Sequence, residues 1–265
     1  MLAAAIVVFR EALEAALVIA VVLGATRGLR GRGWLVAGGT LAGLLGAAAA
    51  AALMGRLSAA FSGTGQPLFE AAVLLSAVGM LGWHNVWMAR HAKGLSERLK
   101  HLGRDARLGR ASALALAAAV ALAVLREGSE VVLFLYGVAA SGAGPKALLA
   151  GGALGLAGGA AVGAALYQGL VRLPVRHFFR ATSWLLLLVA AGMASQAAAF
   201  LNQADLLPAI KDTLWNTSWL ISAQSLPGAV LKTLVGYTPN PSGLQFLFYA
   251  GTFLLVGGLM RAARQ

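Results

Sequence analysis

The residues best placed to do chemistry are six ionisable side chains in two copies of one pentad, Arg10-Glu11-Ala12-Leu13-Glu14 and Arg126-Glu127-Gly128-Ser129-Glu130. Each copy sets one guanidinium and two carboxylates inside an otherwise apolar stretch. On an α-helix, residues three and four apart share a face, so Arg10, Glu11 and Glu14 fit an arc of about 100°. Arg126, Glu127 and Glu130 repeat that arc. A charge at the centre of a membrane helix costs about 2.5–3.5 kcal/mol, so the six must face one another, water or a cargo. Two such helices opposed would deliver four carboxylates and two guanidiniums to one chamber. Oxygen donors suit hard cations, and the arginines would orient the carboxylates through charge-assisted bonds. Locking two helices together needs only one glutamate per arginine. The surplus carboxylate in each copy points to a positive guest.

The elements that must position these groups are transmembrane helices. The 265-residue chain is 59% hydrophobic, with a mean hydropathy of +0.78, outside the range of soluble domains. About 20 apolar residues cross a bilayer as a helix. Such runs fall at about 3–26, 34–56, 67–89, 112–140, 146–171, 181–203 and 244–260. The expected fold is therefore all-α: a polytopic membrane protein of seven transmembrane helices forming one permease domain over 1–265. The net charge of +12 reads as topology, because the basic residues flank the apolar runs. Loops at 27–33, 90–110 and 172–180 and the C-terminal tail are basic, whereas 57–66 and 141–145 are nearly neutral. The positive-inside rule then puts the N-terminus outside and the C-terminus inside. No soluble basic domain with interleaved aromatics exists to bind nucleic acid, and the absence of cysteine excludes thiolate ligands. The first run carries three charges, so it reads as a permanent span rather than a cleaved signal peptide.

Phe9–Val18 and Leu125–Phe134 align without gaps, 116 residues apart, on spans that would run in opposite directions. This is the mark of an inverted repeat, spans 1–3 (about 1–90) against spans 4–6 (about 112–203), with span 7 added. Such repeats place the substrate site near the midplane. The segment 204–243 is too polar to span, and Trp215 and Trp219, four apart, suggest a helix lying at the outer interface. Glu70, at the start of span 3 after Pro67, reads as a helix N-terminal carboxylate or an entry ligand. His84, close to where the third apolar run ends, reads as an interfacial polar residue or as a path-lining residue that binds the ion. Gln196 and Gln203 are further path-lining candidates, and Asp205 and Asp212 are candidates for collecting cations outside. A metal-dependent intramembrane enzyme would need paired histidines at helical spacing, and His84 is the only histidine within an apolar run. A transporter is expected, not an enzyme.

The doubled Arg-Glu-x-x-Glu motif resembles the signature of the oxidase-dependent iron transporter family, which includes fungal high-affinity iron permeases and bacterial EfeU-like permeases. Trp83-His84-Asn85-Val86-Trp87-Met88, Leu214-Trp215-Asn216-Thr217-Ser218 and Gly236-Tyr237-Thr238-Pro239 are similar to the bacterial branch, so the resemblance covers nearly the whole chain. It implies a high-affinity permease importing iron across the bacterial inner membrane. Glu11, Glu14, Glu127 and Glu130 would be the ion ligands, Arg10 and Arg126 their supports, and Glu70 a weaker candidate ligand. It also implies a periplasmic or surface iron-delivery or oxidase partner, and iron as transported substrate with no resident cofactor. Charge and spacing alone leave another hard divalent cation such as manganese, or a proton-coupled solute, as alternatives, and leave ferric and ferrous ions undistinguished.

Overall fold

The structure, a computed structural model, describes the backbone apart from residues 27–30, 62, 64, 108–112, 169–174, 209, 212, 222–224, 226–227, 229–230, 233–234 and 264–265. Side chains of 88–107, 113 and 175–179 also lie outside the described residues. Among the described residues the chain forms seven long helices and no strand: α1 (Leu2–Ala25), α2 (Arg32–Ala60), α3 (Gln66–Arg107), α4 (Ala113–Ala140), α5 (Pro145–Tyr167), α6 (Val175–Gln203) and α7 (Gly243–Ala262). Five of them, α2, α3, α5, α6 and α7, are long and apolar enough to cross a membrane. The other two, α1 and α4, match them in length but carry the three motif charges each.

Two boundaries differ from the sequence reading for identifiable reasons. Helix α3 does not stop where its apolar run stops. It continues through the basic stretch to Arg107, because Leu, Lys, Arg and Glu are good helix formers and no proline interrupts them. The Trp215–Trp219 stretch is not a helix. Asn216 Oδ1 accepts from the Ser218 backbone N–H at 3.0 Å and from the Ser218 hydroxyl, a local bond that competes with helical pairing. The backbone instead pairs across, Leu214 N–H donating to Pro241 O and Thr217 N–H to Pro239 O. Trp215 meets Phe246 edge to face at 5.5 Å, while Trp219 is exposed.

The principal packings are α1 on α5, α2 on α4 and α3 on α6. Exchanging the first three helices for the second three leaves this set unchanged. The first two seams are glycine seams, in which helix backbones approach without intervening side chains, and they correspond contact by contact. Gly43 faces Ala121 O and Leu125 N as Gly155 faces Ala5 O and Phe9 N. Gly39 faces Ala117 O as Gly151 faces Met1 O, and Ala47 faces Gly128 as Gly159 faces Ala12. Residues on α1 and α4 keep the 116-residue offset of the motifs throughout (5 and 121, 9 and 125, 12 and 128), and those on α2 and α5 keep one of 112 (43 and 155).

Of three apolar core clusters, a small one joins Leu187 of α6 to Val256 and Met260 of α7, and the other two flank the motifs. One cluster joins Ala3, Ala4 and Val7 of α1 to Phe134 and Val138 of α4, with Leu74 and Leu81 of α3 and Leu186 and Met193 of α6. The other joins Val18 and Val22 of α1 to Leu116, Val120 and Val124 of α4, with Val36 of α2. The start of α1 thus meets the end of α4 and the reverse, so the two helices run antiparallel. Residues 10–14 and 126–130 fall between the two clusters.

Candidate metal centre

Sandwiched between those apolar layers, the motif side chains of α1 and α4 meet. Arg10 is 1% exposed and Glu11 and Glu14 are equally buried, as are Glu127 and Glu130. Within the first motif, Arg10 Nε lies 3.0 Å from Glu14 Oε1 and Arg10 Nη1 3.7 Å from Glu11 Oε1. Within the second, Arg126 Nε donates to Glu130 Oε1 at 3.0 Å and lies 3.9 Å from Glu127 Oε1. The two motifs therefore use the same i,i+4 pairing. They differ in quality, since Arg10 Nε has no aligned acceptor and its contact is an ion pair without a directed bond.

His84 of α3 completes the group. The sequence reading left it between an interfacial and a path-lining residue, and the structure buries it between the motifs, 1% exposed. Its Nε2 lies 3.0 Å from Glu14 Oε2, its Nδ1 contacts Glu130 Oε2, and Arg126 Nη2 stands 3.4 Å from Nδ1. One ligand atom from each of Glu11, His84, Glu127 and Glu130 lies within 4.8 Å of all the others. The four glutamates outnumber Arg10 and Arg126 by two charges. Five of their eight oxygens, Glu11 Oε1 and Oε2, Glu14 Oε1, Glu127 Oε2 and Glu130 Oε2, are buried without a hydrogen-bond donor among the described residues. An unsatisfied buried acceptor costs about 1–3 kcal/mol, more when charged. A cation held among these oxygens would supply what the donors do not.

Access to the centre is one-sided. Arg126 has a side chain 40% exposed, and its guanidinium lies over the Trp87 ring at 5.0 Å. A cavity of about 340 Å³ opens there, lined by Met80, Trp83, His84, Trp87, Arg126 and Glu130. Arg10 of the first motif, by contrast, is 1% exposed. A second cavity, of about 210 Å³, lies near the start of α1 and is lined by Ala3, Ser141, Gly192, Gln196 and Lys232.

The remaining candidates lie away from the cluster. Glu70 is fourteen residues before His84 on the same helix, about 21 Å along its axis, half-buried and accepting from Gln66 Nε2 at 2.8 Å. Gln196 lines the smaller cavity. Gln203 is exposed at the end of α6, and Asp205 just beyond it has φ 55, the left-handed conformation that terminates helices. Asp212 lies outside the described residues.

Compared with known proteins, residues 1–262 match the family described as "Iron permease FTR1 family". The protein named "Ferrous iron permease EfeU" in Escherichia coli O6:H1 is 34% identical over 243 residues, covering 89% of this chain and 87% of its own. Proteins of the same name in Yersinia pestis and Yersinia pseudotuberculosis are each 32% identical over 242 residues, covering 89% of this chain and 85% and 84% of their own. No solved structure matches the chain.

Proposed function

The chain belongs to the Iron permease FTR1 family, a transporter of iron across a membrane and not an enzyme, and on that premise we propose that the ion passes through the acidic chamber between α1 and α4. Glu11, Glu14, Glu127 and Glu130 neutralise it there, and Arg10 and Arg126 keep the carboxylates apart and oriented. The observation that carries this reading is the five buried glutamate oxygens without donors. The relatives bear the name of ferrous permeases, which favours the ferrous ion.

The scaffold we propose is an inverted repeat, α1–α3 against α4–α6, with α7 as an addition. It is supported by the antiparallel course of α1 and α4 and by the glycine seams that correspond residue for residue. All seven helices would span the bacterial inner membrane, with the N-terminus outside and an iron-delivery or oxidase partner presenting the ion there. Manganese, another hard divalent cation, fits carboxylates equally well and is the competing cargo.

The test is uptake of radioactive ferrous ion by liposomes containing the purified protein. Glu11→Gln and Glu127→Gln remove one charge each with little change of shape. Each is expected to lower uptake at least about tenfold, a loss of about 1.4 kcal/mol or more, at unchanged protein content. Uptake at the unaltered rate in both variants would sink the proposed site.

A further inference from the structure

We propose that His84 is the nitrogen ligand of the transported ion, and that Glu14 orients this histidine instead of binding the ion itself. The proposal rests on the iron-permease reading above and assigns the ligands within it. The two ring nitrogens of His84 face different chemistry. Nδ1 contacts Glu130 Oε2 and is approached at 3.4 Å by Arg126 Nη2, so it faces the carboxylate cluster. With an ion bound at Nδ1 the ring proton lies on Nε2, and Nε2 points at Glu14 Oε2, 3.0 Å away. A carboxylate receiving the far N–H of an imidazole is the arrangement that fixes the tautomer and ring angle of metal-ligating histidines.

The other face of the ring is the consequential one. Nδ1 meets Glu130 Oε2 in a region 1–2% exposed on both sides. A proton pairs the two atoms, and a bound cation can take that proton's place. That position is shared by Glu11 and Glu127, whose ligand atoms lie within 4.8 Å of those of His84 and Glu130, while Glu14 stands outside the set. The motifs are therefore equal in sequence but unequal in role. The second contributes two carboxylate ligands, the first contributes one ligand and one orienting group, and α3 contributes the nitrogen. Among the described side chains of α6, the counterpart of α3, there is no histidine.

An imidazole within a carboxylate set has a chemical consequence. Carboxylate, carbonyl and water ligands suit magnesium, calcium and manganese, whereas imidazole suits iron, which also stands above manganese in affinity for mixed donors. His84 is thus the specificity-determining residue for ferrous ion over manganous ion.

Two measurements on purified protein test this: iron K-edge X-ray absorption of the ferrous-loaded protein in detergent, and ferrous uptake by liposomes under manganous competition. The unaltered protein is expected to show outer-shell scattering from one imidazole. His84→Gln should lose it, and the manganous concentration that halves iron uptake should fall about tenfold as the nitrogen preference disappears. Glu14→Gln should keep the imidazole scattering while iron binding weakens about 10–100-fold, as for a group that orients a ligand. Iron held by oxygen alone in the unaltered protein overturns the proposal whatever becomes of the variants. So does a His84→Gln protein with unchanged competition by manganese. Failure of the unaltered protein to take up iron overturns the permease reading and this one together, whereas uptake through an oxygen-only shell overturns the histidine assignment alone.

Discussion

Replacing Gly155 by alanine, on a helix that carries no motif charge, should impair both the fold and iron transport. A Cβ at Gly155 would stand 2.5 Å from Ala5 O, 2.8 Å from Phe9 N and 2.9 Å from Val8 Cβ. Ordinary contact lies near 3.5 Å, so α5 and α1 must separate by roughly 1 Å to admit one methyl group. The obstructing atoms are mostly backbone, which cannot rotate aside. Overpacking of this kind costs about 1–3 kcal/mol, or a melting temperature lower by about 3–10 °C for a chain of this size. Gly152 on the same helix provides the control, since a Cβ there meets nothing within 4 Å. Alanine is the better helix former by about 1 kcal/mol, so Gly152→Ala should be neutral or stabilising, and the contrast between the variants isolates the seam. The displaced helix carries Glu11 and Glu14. Functional groups need positioning to within about 0.5 Å, so Gly155→Ala should also reduce ferrous uptake severalfold. The assay is thermal unfolding in detergent followed by tryptophan fluorescence, with liposome uptake per unit of protein. Equal melting temperatures and equal uptake for the two variants would refute the close-packed seam.

Other outcomes follow from single sites. Ferrous ion at about one hundred times its dissociation constant should stabilise the protein by about 2.7 kcal/mol, read as a rise in melting temperature that Glu127→Gln abolishes. Ser242→Ala removes half of the capping box in which Ser242 Oγ accepts from Gln245 N–H and Gln245 accepts from Ser242 N–H. It should cost about 1 kcal/mol, read in the same melting assay, without changing iron affinity. Asn85 is 2% exposed and neither amide atom has a partner among the described residues. Asn85→Leu, with the same branching of heavy atoms, should therefore raise the melting temperature by relieving an unpaired amide worth about 1–3 kcal/mol, and a fall would refute that gain.

The order of elements and the central position of the motifs were legible because apolar runs and misplaced charges are strong local signals. The runs predicted at 3–26, 112–140 and 244–260 lie within two residues of α1, α4 and α7. The burial of His84 between the two motifs was not legible. Hydropathy marks where apolar residues end, not where a helix ends, and α3 runs 18 residues past its apolar run, to Arg107. Residue 84 looked terminal only because helix and apolar run were equated. Its contacts with Glu14 and Glu130 cross 70 and 46 positions of sequence, and no spacing rule reports such pairs. The expected helix at Trp215–Trp219 failed for a different reason: the four-residue interval ignored the intervening Asn216, Thr217 and Ser218, whose side chains hold the backbone in another shape.

The matched glycine seams give the two motif helices equivalent surroundings, since α4 lies against α2 through the same contacts that α1 makes with α5. Exposure nevertheless differs between them, with Arg126 reachable and Arg10 sealed. What sets the two motifs apart therefore lies outside the seams, where Trp87 of α3 stands under the Arg126 guanidinium.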